Sequence, residues 1–368
     1  MSGHGRIDVA VIGGGPAGAA AAIRLAASDL EVRIFERQLP PRMRVGESVG
    51  PGVRAQLAAL GLVELWDDPA HRPALERASA WVDAELDRVP AMIQQVRGAG
   101  RTLERDRFDQ ALLERAQAGG AKLESVAVVR VEPSEGDAWT LITRAGVCRA
   151  RWLLDASAGG MLARQLGLDR REVDRLFGLI AFVEPGPDTL ARLDASEAGR
   201  ALLIEATPRG WWYSAPLAGG RLVAAFMTDP AGLREGRAPT WARARGLAPH
   251  TDERLRCFAE PARWWVRGAG PRLLESTRPR QLAIGDAMRS GDPLAGQGIE
   301  HALDSAARGA AALLAHESGE AVAIERYLAH EREQFFEHLR IREQLYAAVE
   351  RFADQAFWRA RVSKASEG

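Results

Sequence analysis

The sequence predicts an α/β protein in which a parallel-sheet domain is interrupted by an antiparallel-sheet domain and followed by C-terminal helices. Two observations lead to this prediction. Residues 7–36 have the pattern of strand, glycine-rich turn, helix and strand, which is typical of a βαβ unit. Short strand-like runs then occupy residues 177–276, and a strand followed by a helix returns at residues 280–298.

The N-terminal unit begins with the β-branched run Ile7–Ile12, which ends in glycines. An alanine-rich helix is predicted from Pro16 to Ala27, and residues 31–36 form a second strand. A βαβ unit implies a parallel sheet with a right-handed crossover.

The later elements follow in order. We predict helices at Gly52–Leu60 and Arg107–Ala118, and strands within Lys122–Glu132, Trp139–Thr143, Arg151–Ala156, Gly178–Val183, Ala201–Ala206, Gly210–Pro216 and Arg221–Met227. Gly219 and Gly220 predict a hairpin between the last two strands, because glycine accepts a positive φ. A long helix begins near Gly298 and a charged helical segment follows. We expect a discontinuous dinucleotide-binding domain (1–75, 98–170 and 277–316), a substrate domain (76–97 and 171–276) and a C-terminal helical segment (317–368).

Composition limits the classes of partner. The chain has 49 basic and 49 acidic residues, so no net field attracts it to nucleic acid or an anionic membrane. No stretch has the length of a membrane span. Cys148 and Cys257 fit a reducing compartment, form no ligand pattern and by themselves say nothing about a metal; no metal site is predicted. The first apolar run is typical of a strand rather than a signal peptide, and we expect a cytoplasmic protein.

The first glycine motif predicts a dinucleotide site. Gly13, Gly15 and Gly18 fit G-x-G-x-x-G: the first permits a tight turn, the second a close approach of backbone to pyrophosphate, and the third helix packing. The following helix presents its N-terminus to the phosphates. Glu36 ends the second strand, where a carboxylate can accept both ribose hydroxyls. The expected contacts at this end of the cofactor are Gly13, Gly15, Pro16, Ala17, Gly18, Glu36 and Arg37.

A second pair of motifs distinguishes between dinucleotides. An apolar strand ends in Gly285–Asp286, where a carboxylate can bind a ribityl hydroxyl. The glycine-rich turn at residues 292–298 then opens a helix, whose N–H groups can stabilise negative charge on a reduced flavin.

These motifs resemble the FAD-dependent monooxygenases typified by p-hydroxybenzoate hydroxylase, a superfamily that includes flavin halogenases and geranylgeranyl reductases. The resemblance implies a split Rossmann-like FAD-binding domain. It also implies that FAD contacts Gly285, Asp286, Pro293, Gly296, Gln297, Gly298 and Ile299. Arg105-x-x-Phe108-Asp109 looks like the family's R-x-x-F-D segment, which implies that Arg105 contacts the cofactor.

The segment from Arg44 to Ser48 resembles a turn beside the flavin ring in halogenases and their relatives. That resemblance adds Arg44, Gly46 and Ser48 to the cofactor contacts and makes Glu47 and Ser48 candidate catalytic residues. Two structural interpretations remain open. Ser48 can cap a helix, and Glu47 can form a salt bridge with Arg44.

Halogenation is not the expected reaction. Halogenases of this family deliver hypohalous acid through a lysine between flavin and substrate. The only lysines here are Lys122, in the predicted dinucleotide domain, and Lys364, in the tail, and arginine does not substitute.

Aromatic residues mark the expected substrate pocket. On the strand at 210–216, Trp211 and Tyr213 share one face and Trp212 lies on the other. We place Trp81, Trp211, Tyr213 and Phe226 in the pocket, with a purely structural role in the core as the alternative.

Several separated segments, including Ser79-Ala80-Trp81 and the Trp-Trp-Tyr strand, resemble the maturation flavoproteins of lysine ε-oxidase and glycine oxidase. Val82 replaces the glycine expected after Trp81. The resemblance implies NAD(P)H-dependent hydroxylation of a tryptophan in a partner polypeptide during tryptophylquinone formation. Two alternatives stay open: an FAD-dependent hydroxylase of a small aromatic metabolite, and a non-catalytic flavoprotein assembly factor.

Overall fold

A computed structural model describes residues 6–39, 45–90, 98–186, 189 and 201–362. Its strands are β1 Ile7–Ile12, β2 Val32–Phe35, β3 Ser48–Val49, β4 Arg72–Ala74, β5 Glu76–Ala80, β6 Asp87–Pro90, β7 Gly100–Thr102, β8 Lys122–Glu124, β9 Val128–Ser134, β10 Ala138–Thr143, β11 Gly146–Asp155, β12 Arg170–Glu172, β13 Phe177–Val183, β14 Ala201–Thr207, β15 Gly210–Pro216, β16 Leu222–Thr228, β17 Trp265–Gly268, β18 Arg272–Leu274, β19 Gln281–Ala283 and β20 Arg289–Ser290. Its helices are α1 Pro16–Ala26, α2 Gly52–Ala58, α3 Arg105–Ala118, α4 Met161–Gln165, α5 Arg237–Gly246, α6 Pro249–Leu255, α7 Gly298–Glu317, α8 Ala323–Ala347 and α9 Ala356–Val362.

The first large sheet has the order β8-β2-β1-β11-β10-β9, and β19 also pairs with β11. Strands β8, β2, β1, β11 and β19 pair in parallel, whereas β10 and β9 form an antiparallel extension. The predicted βαβ unit and the return of the chain to this sheet are therefore confirmed. The single strand-rich run predicted at 122–132 is two strands, which lie at opposite edges of the sheet.

The second large sheet has the order β17-β13-β16-β15-β14-β5-β6. Its pairs are antiparallel except for β14 and β5, which run parallel, so the prediction of an antiparallel sheet needs this one correction. Gly219 and Gly220 both have positive φ, as the predicted hairpin between β15 and β16 requires.

The C-terminal helices pack on the protein itself. Helix α7 lies beside α1 in the main core, and α8 buries Tyr327, Phe335 and Tyr346. Helix α9 adds Phe357 and Trp358 to a core cluster behind the second sheet. Within the described ranges, no helix is both long and apolar enough to cross a membrane.

Candidate functional site

The glycine-rich turn between β1 and α1 packs so closely against neighbouring backbone that side chains do not fit at two of its glycines. Gly13 has a φ of +106°, and a Cβ atom there would lie 2.8 Å from the carbonyl oxygen of Ala156. A Cβ atom on Gly18 would lie 1.9 Å from the carbonyl oxygen of Gly13, so a larger residue does not fit. Gly15 precedes the helix and Pro16 occupies its first turn, where its missing N–H is no loss. The turn therefore presents the N-terminus of α1 at the carboxyl edge of the sheet.

Glu36 lies beside this turn. Its carboxylate accepts hydrogen bonds from the backbone N–H groups of Gly14, at 2.8 Å, and Gln38, at 2.9 Å. These bonds fix the carboxylate next to the glycine turn. Arg37 follows as an exposed side chain.

The Gly285–Asp286 turn contacts the start of α1. Gly285 has a φ of +56°, and a Cβ atom there would lie 2.7 Å from the Cβ atom of Ala17. Its N–H donates to the Ser305 hydroxyl at 3.0 Å. The Asp286 side chain is 38% exposed and lines a cavity, and desolvation by the surrounding protein raises its pKa.

The second glycine-rich turn, which we call the 292–298 turn, forms another wall of this cavity. Asp292 organises its start by accepting a hydrogen bond from the Leu294 N–H at 3.0 Å. Gly296 adopts the left-handed conformation with a φ of +63°. Helix α7 begins two residues later, so its N-terminus borders the cavity.

Glu47 lies on the opposite side in a turn that Gly46 makes with a φ of +93°. The Glu47 side chain lines the cavity but is only 2% exposed, and its Oε1 atom has no hydrogen-bond partner among the described residues. Desolvation raises its pKa to about 7, although the charge of Arg105 opposes the shift. Such a group can hold or release a proton near neutral pH.

Ser48 does not cap a helix. It belongs to β3 and pairs with Thr102, whereas α2 begins at Gly52. The structural interpretation of Ser48 as a cap is therefore wrong, because a strand separates it from the helix. The alternative salt bridge from Glu47 to Arg44, and the predicted cofactor contact of Arg44, lie outside the described residues.

Arg105 holds the Glu47 turn through a hydrogen bond to its backbone. Its guanidinium forms two hydrogen bonds with the Asp109 carboxylate, at 3.0 and 3.1 Å, and donates a third to the Val45 carbonyl at 2.7 Å. The side chain is buried and is not among the described residues that line the cavity. Its contact with a cofactor stays a prediction.

The cavity has a volume of about 790 Å³, within the usual range for small-molecule sites. It brings together predicted residues that are widely separated in the sequence. These are Gly46, Glu47, Ser48, Trp211, Tyr213, Asp286, Pro293, Gly296, Gln297, Gly298 and Ile299.

Trp211 and Tyr213 form the aromatic wall of the cavity on β15. The Tyr213 hydroxyl lies against Ser48 and near Glu47, and desolvation raises its pKa well above the usual value, so it stays protonated. Trp212 points to the other side of the sheet, where it packs on Trp241. The alternation predicted for this strand is therefore present.

Phe226 and Trp81 do not line the cavity, which corrects two predictions. Phe226 is opposite Trp212 in the β15–β16 register, so it shares the face of Trp212 and packs on that ring at 5.2 Å. Trp81 lies behind the aromatic wall, with ring centroids 5.9 Å from both Trp211 and Tyr346. Its indole N–H donates to the Leu345 carbonyl.

Arginines provide the positive charge around the cavity, and no lysine is among its described lining residues. The lining arginines are Arg77, Arg267, Arg272 and Arg289. Lys122 lies on edge strand β8, where it pairs with Glu31 at 2.9 Å. Lys364 lies outside the described residues.

Known proteins resemble this chain in sequence and in fold. Residues 11–78 match the model of an NAD(P)-binding Rossmann-like domain. LodB of Marinomonas mediterranea, a proposed FAD-dependent oxidoreductase, is 28% identical over 372 residues, which cover 96% of each chain.

Solved structures share the fold across nearly the whole chain. The flavin-dependent halogenase CmlS superimposes with a TM-score of 0.84 at 24% identity, covering 97% of this chain and 68% of its own. QhpG, a peptidyl tryptophan dihydroxylase essential for tryptophylquinone cofactor biogenesis, gives 0.77 at 25% identity, covering 97% and 79%. This chain has the fold of the FAD-dependent, halogenase-like flavoproteins.

The residues of the flavoprotein fit FAD at both ends. The Gly13–Gly18 turn offers a helix N-terminus that larger side chains would block. Because Gly285 contacts Ala17, Asp286 lies between this turn and the cavity that contains the 292–298 turn. The first glycine turn is thus adjacent to a residue of the cavity wall, and the second glycine turn lines the same cavity.

Two groups of residues near this site were not predicted from the sequence. Asp155 ends β11 beside the Gly13 turn, and its carboxylate accepts a hydrogen bond from the Ser157 hydroxyl at 2.6 Å. An apolar parallel strand that ends in aspartate was the available signal. Arg342 and Tyr346 of α8 contact Asp292, and no local pattern could have revealed that contact.

His301, which sequence analysis left out of the site, lines the cavity. Its Nε2 atom lies 3.1 Å from the Arg289 carbonyl oxygen. Desolvation lowers its pKa to about 3, so the ring is neutral.

Proposed function

We propose that the flavoprotein is a monooxygenase that hydroxylates the indole ring of a tryptophan in a partner polypeptide, with NAD(P)H as reductant. The observation that carries the proposal is a single cavity that joins the 292–298 turn, the buried carboxyl group of Glu47 and an aromatic wall. The similarity to QhpG, which acts on peptidyl tryptophan, supports this substrate class.

The chain offers a distinct group for each part of the cofactor. The N-terminus of α1 would bind the pyrophosphate, and Glu36 the adjacent ribose. Asp286 would bind the ribityl chain, while the 292–298 turn and the Gly46–Ser48 turn would flank the flavin ring. When bound, FAD supplies electrons taken from NAD(P)H and activates dioxygen.

The aromatic wall would orient the substrate ring. Trp211 and Tyr213 line the cavity, and aromatic side chains pack favourably against an indole. One oxygen atom of dioxygen enters the ring and the other leaves as water, while NAD(P)H provides two electrons. The ring carbon that gains the hydroxyl loses a proton, and the Glu47 carboxylate, whose pKa is raised to about 7, would accept it. The N-terminus of α7 would stabilise negative charge on the opposite side.

The charges of the cavity argue against halogenation. The lysine that the resemblance to halogenases requires is not among the described lining residues. Arginine, which is present, remains protonated and does not replace a nucleophilic amine.

The test uses the purified flavoprotein with FAD, NADH or NADPH, dioxygen, and chloride and bromide ions. The probe is the blocked tripeptide acetyl-Gly-Trp-Gly-amide, with the Phe-containing peptide as control. We expect mass spectrometry to show added oxygen on the Trp peptide only, with label from isotopic dioxygen.

Other outcomes favour the other functions. Oxygen added to free indole but not to the peptide supports a small-metabolite hydroxylase. A halogenated product contradicts the proposal directly. Absence of NAD(P)H oxidation with either probe supports a non-catalytic assembly factor.

A further inference from the structure

A buried path of hydrogen bonds joins the aromatic wall to the 292–298 turn. The Trp211 indole N–H donates to the Tyr346 hydroxyl oxygen at 2.8 Å. The Tyr346 hydroxyl in turn donates to Asp292 Oδ2 at 3.0 Å. The other oxygen of Asp292 accepts the Leu294 N–H, so the path ends on the backbone of the turn. All three side chains of the path are at most 3% exposed.

Buried ion pairs hold the Asp292 end in place. Arg342 Nε donates to Asp292 Oδ2 at 2.9 Å, and the same guanidinium pairs with Asp174. Arg361 also contacts Asp174, at 3.3 Å, so two arginines balance two carboxylates. Burial of charges is tolerated only with such pairing.

His338 supports the same turn through the backbone. Its Nε2 atom accepts the Asp292 N–H at 2.8 Å. Desolvation lowers the pKa of His338, which keeps the ring neutral and able to accept this hydrogen bond. Helix α8 therefore contacts Asp292 through three side chains, those of His338, Arg342 and Tyr346.

Tyr346 is the central member of the path. Burial and the charge of Asp292 raise the pKa of its hydroxyl well above the usual value, so the hydroxyl keeps its proton. The hydroxyl donates this proton in its hydrogen bond to Asp292, and a lone pair on the hydroxyl oxygen accepts the Trp211 N–H. Removal of the hydroxyl would break both bonds.

We propose that Tyr346 is a positioning residue for the flavin: it holds the 292–298 turn in its bound geometry and ties that turn to Trp211 in the substrate wall. The inference rests on the proposed placement of this turn beside the flavin ring and is independent of the substrate's identity. Helix α8, which is more than 20 residues beyond the 292–298 turn in the sequence, is then part of the cofactor site.

The primary test is Tyr346→Phe in the FAD-loaded protein. The rate of FAD release on dilution, measured by recovery of flavin fluorescence, should rise about ten-fold, the effect of losing a charge-assisted hydrogen bond. Trp358→Phe is the matched control. Trp358 belongs to the same aromatic cluster and is equally buried, but its N–H donates to the Thr207 carbonyl, away from the turn.

The control separates positioning from packing. Both variants should lower the thermal midpoint, whereas FAD release from Trp358→Phe should stay within about two-fold of wild type. Equal release rates for Tyr346→Phe and wild type, or equal acceleration in both variants, would overturn the proposal.

A double-mutant cycle tests the path itself. Trp211→Phe should accelerate FAD release, and Trp211→Phe/Tyr346→Phe should release FAD no faster than Tyr346→Phe alone, because the second bond is already lost. Fully multiplicative effects would contradict a shared path. If Tyr346→Phe does not fold, an unchanged rate of FAD release in Trp211→Phe is sufficient to reject the proposal. No substrate is present in these assays, so failure of the hydroxylation proposal would leave their outcome unaffected.

Discussion

Glu47 shows how burial prepares a single residue for proton transfer. Its carboxyl group has a pKa of about 7 because it is desolvated, while Arg105, the nearby opposing charge, is already engaged with Asp109. In the unfolded chain the same group ionises near 4.5. The folded state therefore binds a proton that the unfolded state has lost between these two pH values.

This difference predicts a pH-dependent loss of stability. Because the folded pKa is raised, the penalty is absent below pH 4.5, grows as pH rises, and is complete above pH 7. Glu47→Gln should therefore stabilise the protein at pH 8 relative to pH 5, by up to about 3 kcal/mol. Urea unfolding of both proteins at the two pH values measures this difference.

The control for that experiment is Glu64→Gln, which changes an exposed glutamate in the same N-terminal part of the sequence. It should alter the free energy of unfolding by less than about 0.5 kcal/mol at either pH. A Glu47→Gln effect that is equal at pH 5 and pH 8 would show that the carboxyl group is ionised throughout.

Gly18 is the position in the first glycine turn that leaves the least space for a side chain. Gly18→Ala places a Cβ atom 1.9 Å from the Gly13 carbonyl oxygen, which forces the turn and helix apart. We expect this variant to lose FAD. It should also lose the stabilisation that FAD gives, which is about 2.7 kcal/mol when the FAD concentration is one hundred times the dissociation constant. Thermal unfolding with and without added FAD measures both effects.

Gly246→Ala is the matched control for this prediction. Gly246 ends helix α5 without a positive φ, and an added Cβ atom meets nothing within 4 Å. The variant should keep FAD and gain as much as about 1 kcal/mol from better helix propensity. Retention of bound FAD by Gly18→Ala would refute the assignment of the phosphate-binding turn.

At the scale of elements, the second sheet supports a helix that the sequence pattern alone did not predict. Glu205 of β14 is buried and accepts the N–H groups of His250, at 3.2 Å, and Thr251, at 2.7 Å. These are donors of the first turn of α6, which have no partner within the helix. A carboxylate from strand β14 thus supplies the hydrogen-bond acceptor for two N–H groups in the first turn of α6.

Glu205→Ala should remove this support. Two helix N–H groups would lose their buried acceptor, and we expect the free energy of unfolding to fall by about 2–3 kcal/mol. Glu253→Ala, at an exposed position of the same helix, should change it by less than about 0.5 kcal/mol. Chemical denaturation of the two variants provides the measurement, and equal effects would contradict the role given to Glu205.

At the scale of the whole molecule, the C-terminal helices connect the two large sheets. Helix α8 contributes Tyr327 and Phe335 to the main core, and Tyr346 to the cluster behind the second sheet. Arg342, between these residues, joins Asp174 and Asp292. The predicted C-terminal helical segment thus packs on the fold that carries the cavity.

Arg342→Met tests this integration. It leaves two buried carboxylates without their shared cation, and we expect destabilisation by about 3–5 kcal/mol. Arg340→Met on the same helix removes only an exposed pair with Glu337 and should leave the unfolding midpoint nearly unchanged. Similar unfolding midpoints for the two variants would mean that the C-terminal ion pairs contribute little to the fold.

Much of the flavin end of the site follows from local patterns. The strand, glycines and helix at residues 7–26 are each specified within a few residues, and Gly285 and Gly296 adopt the positive φ that glycine alone accepts readily. The alternation of Trp211 and Trp212 likewise follows from the geometry of one strand. These features required no knowledge of distant contacts.

The errors concern residues whose surroundings come from elsewhere in the chain. Phe226 could not be assigned to a face without the register between β15 and β16, which the length of their connecting loop determines. Trp81 faces a cluster completed by Tyr346 and Trp358 from the C-terminal helices. Ser48 pairs with Thr102, a long-range partner with no signal in its own segment.

The sequence by itself determined the fold class, the two glycine turns and the alternation of the aromatic strand, because backbone conformation and side-chain periodicity are local properties. Only the tertiary structure decided which aromatic residues border the cavity, that Glu47 is desolvated, and that Tyr346 contacts Asp292. Desolvation and long-range hydrogen bonds depend on distances between segments, and those distances exist only once the chain has packed.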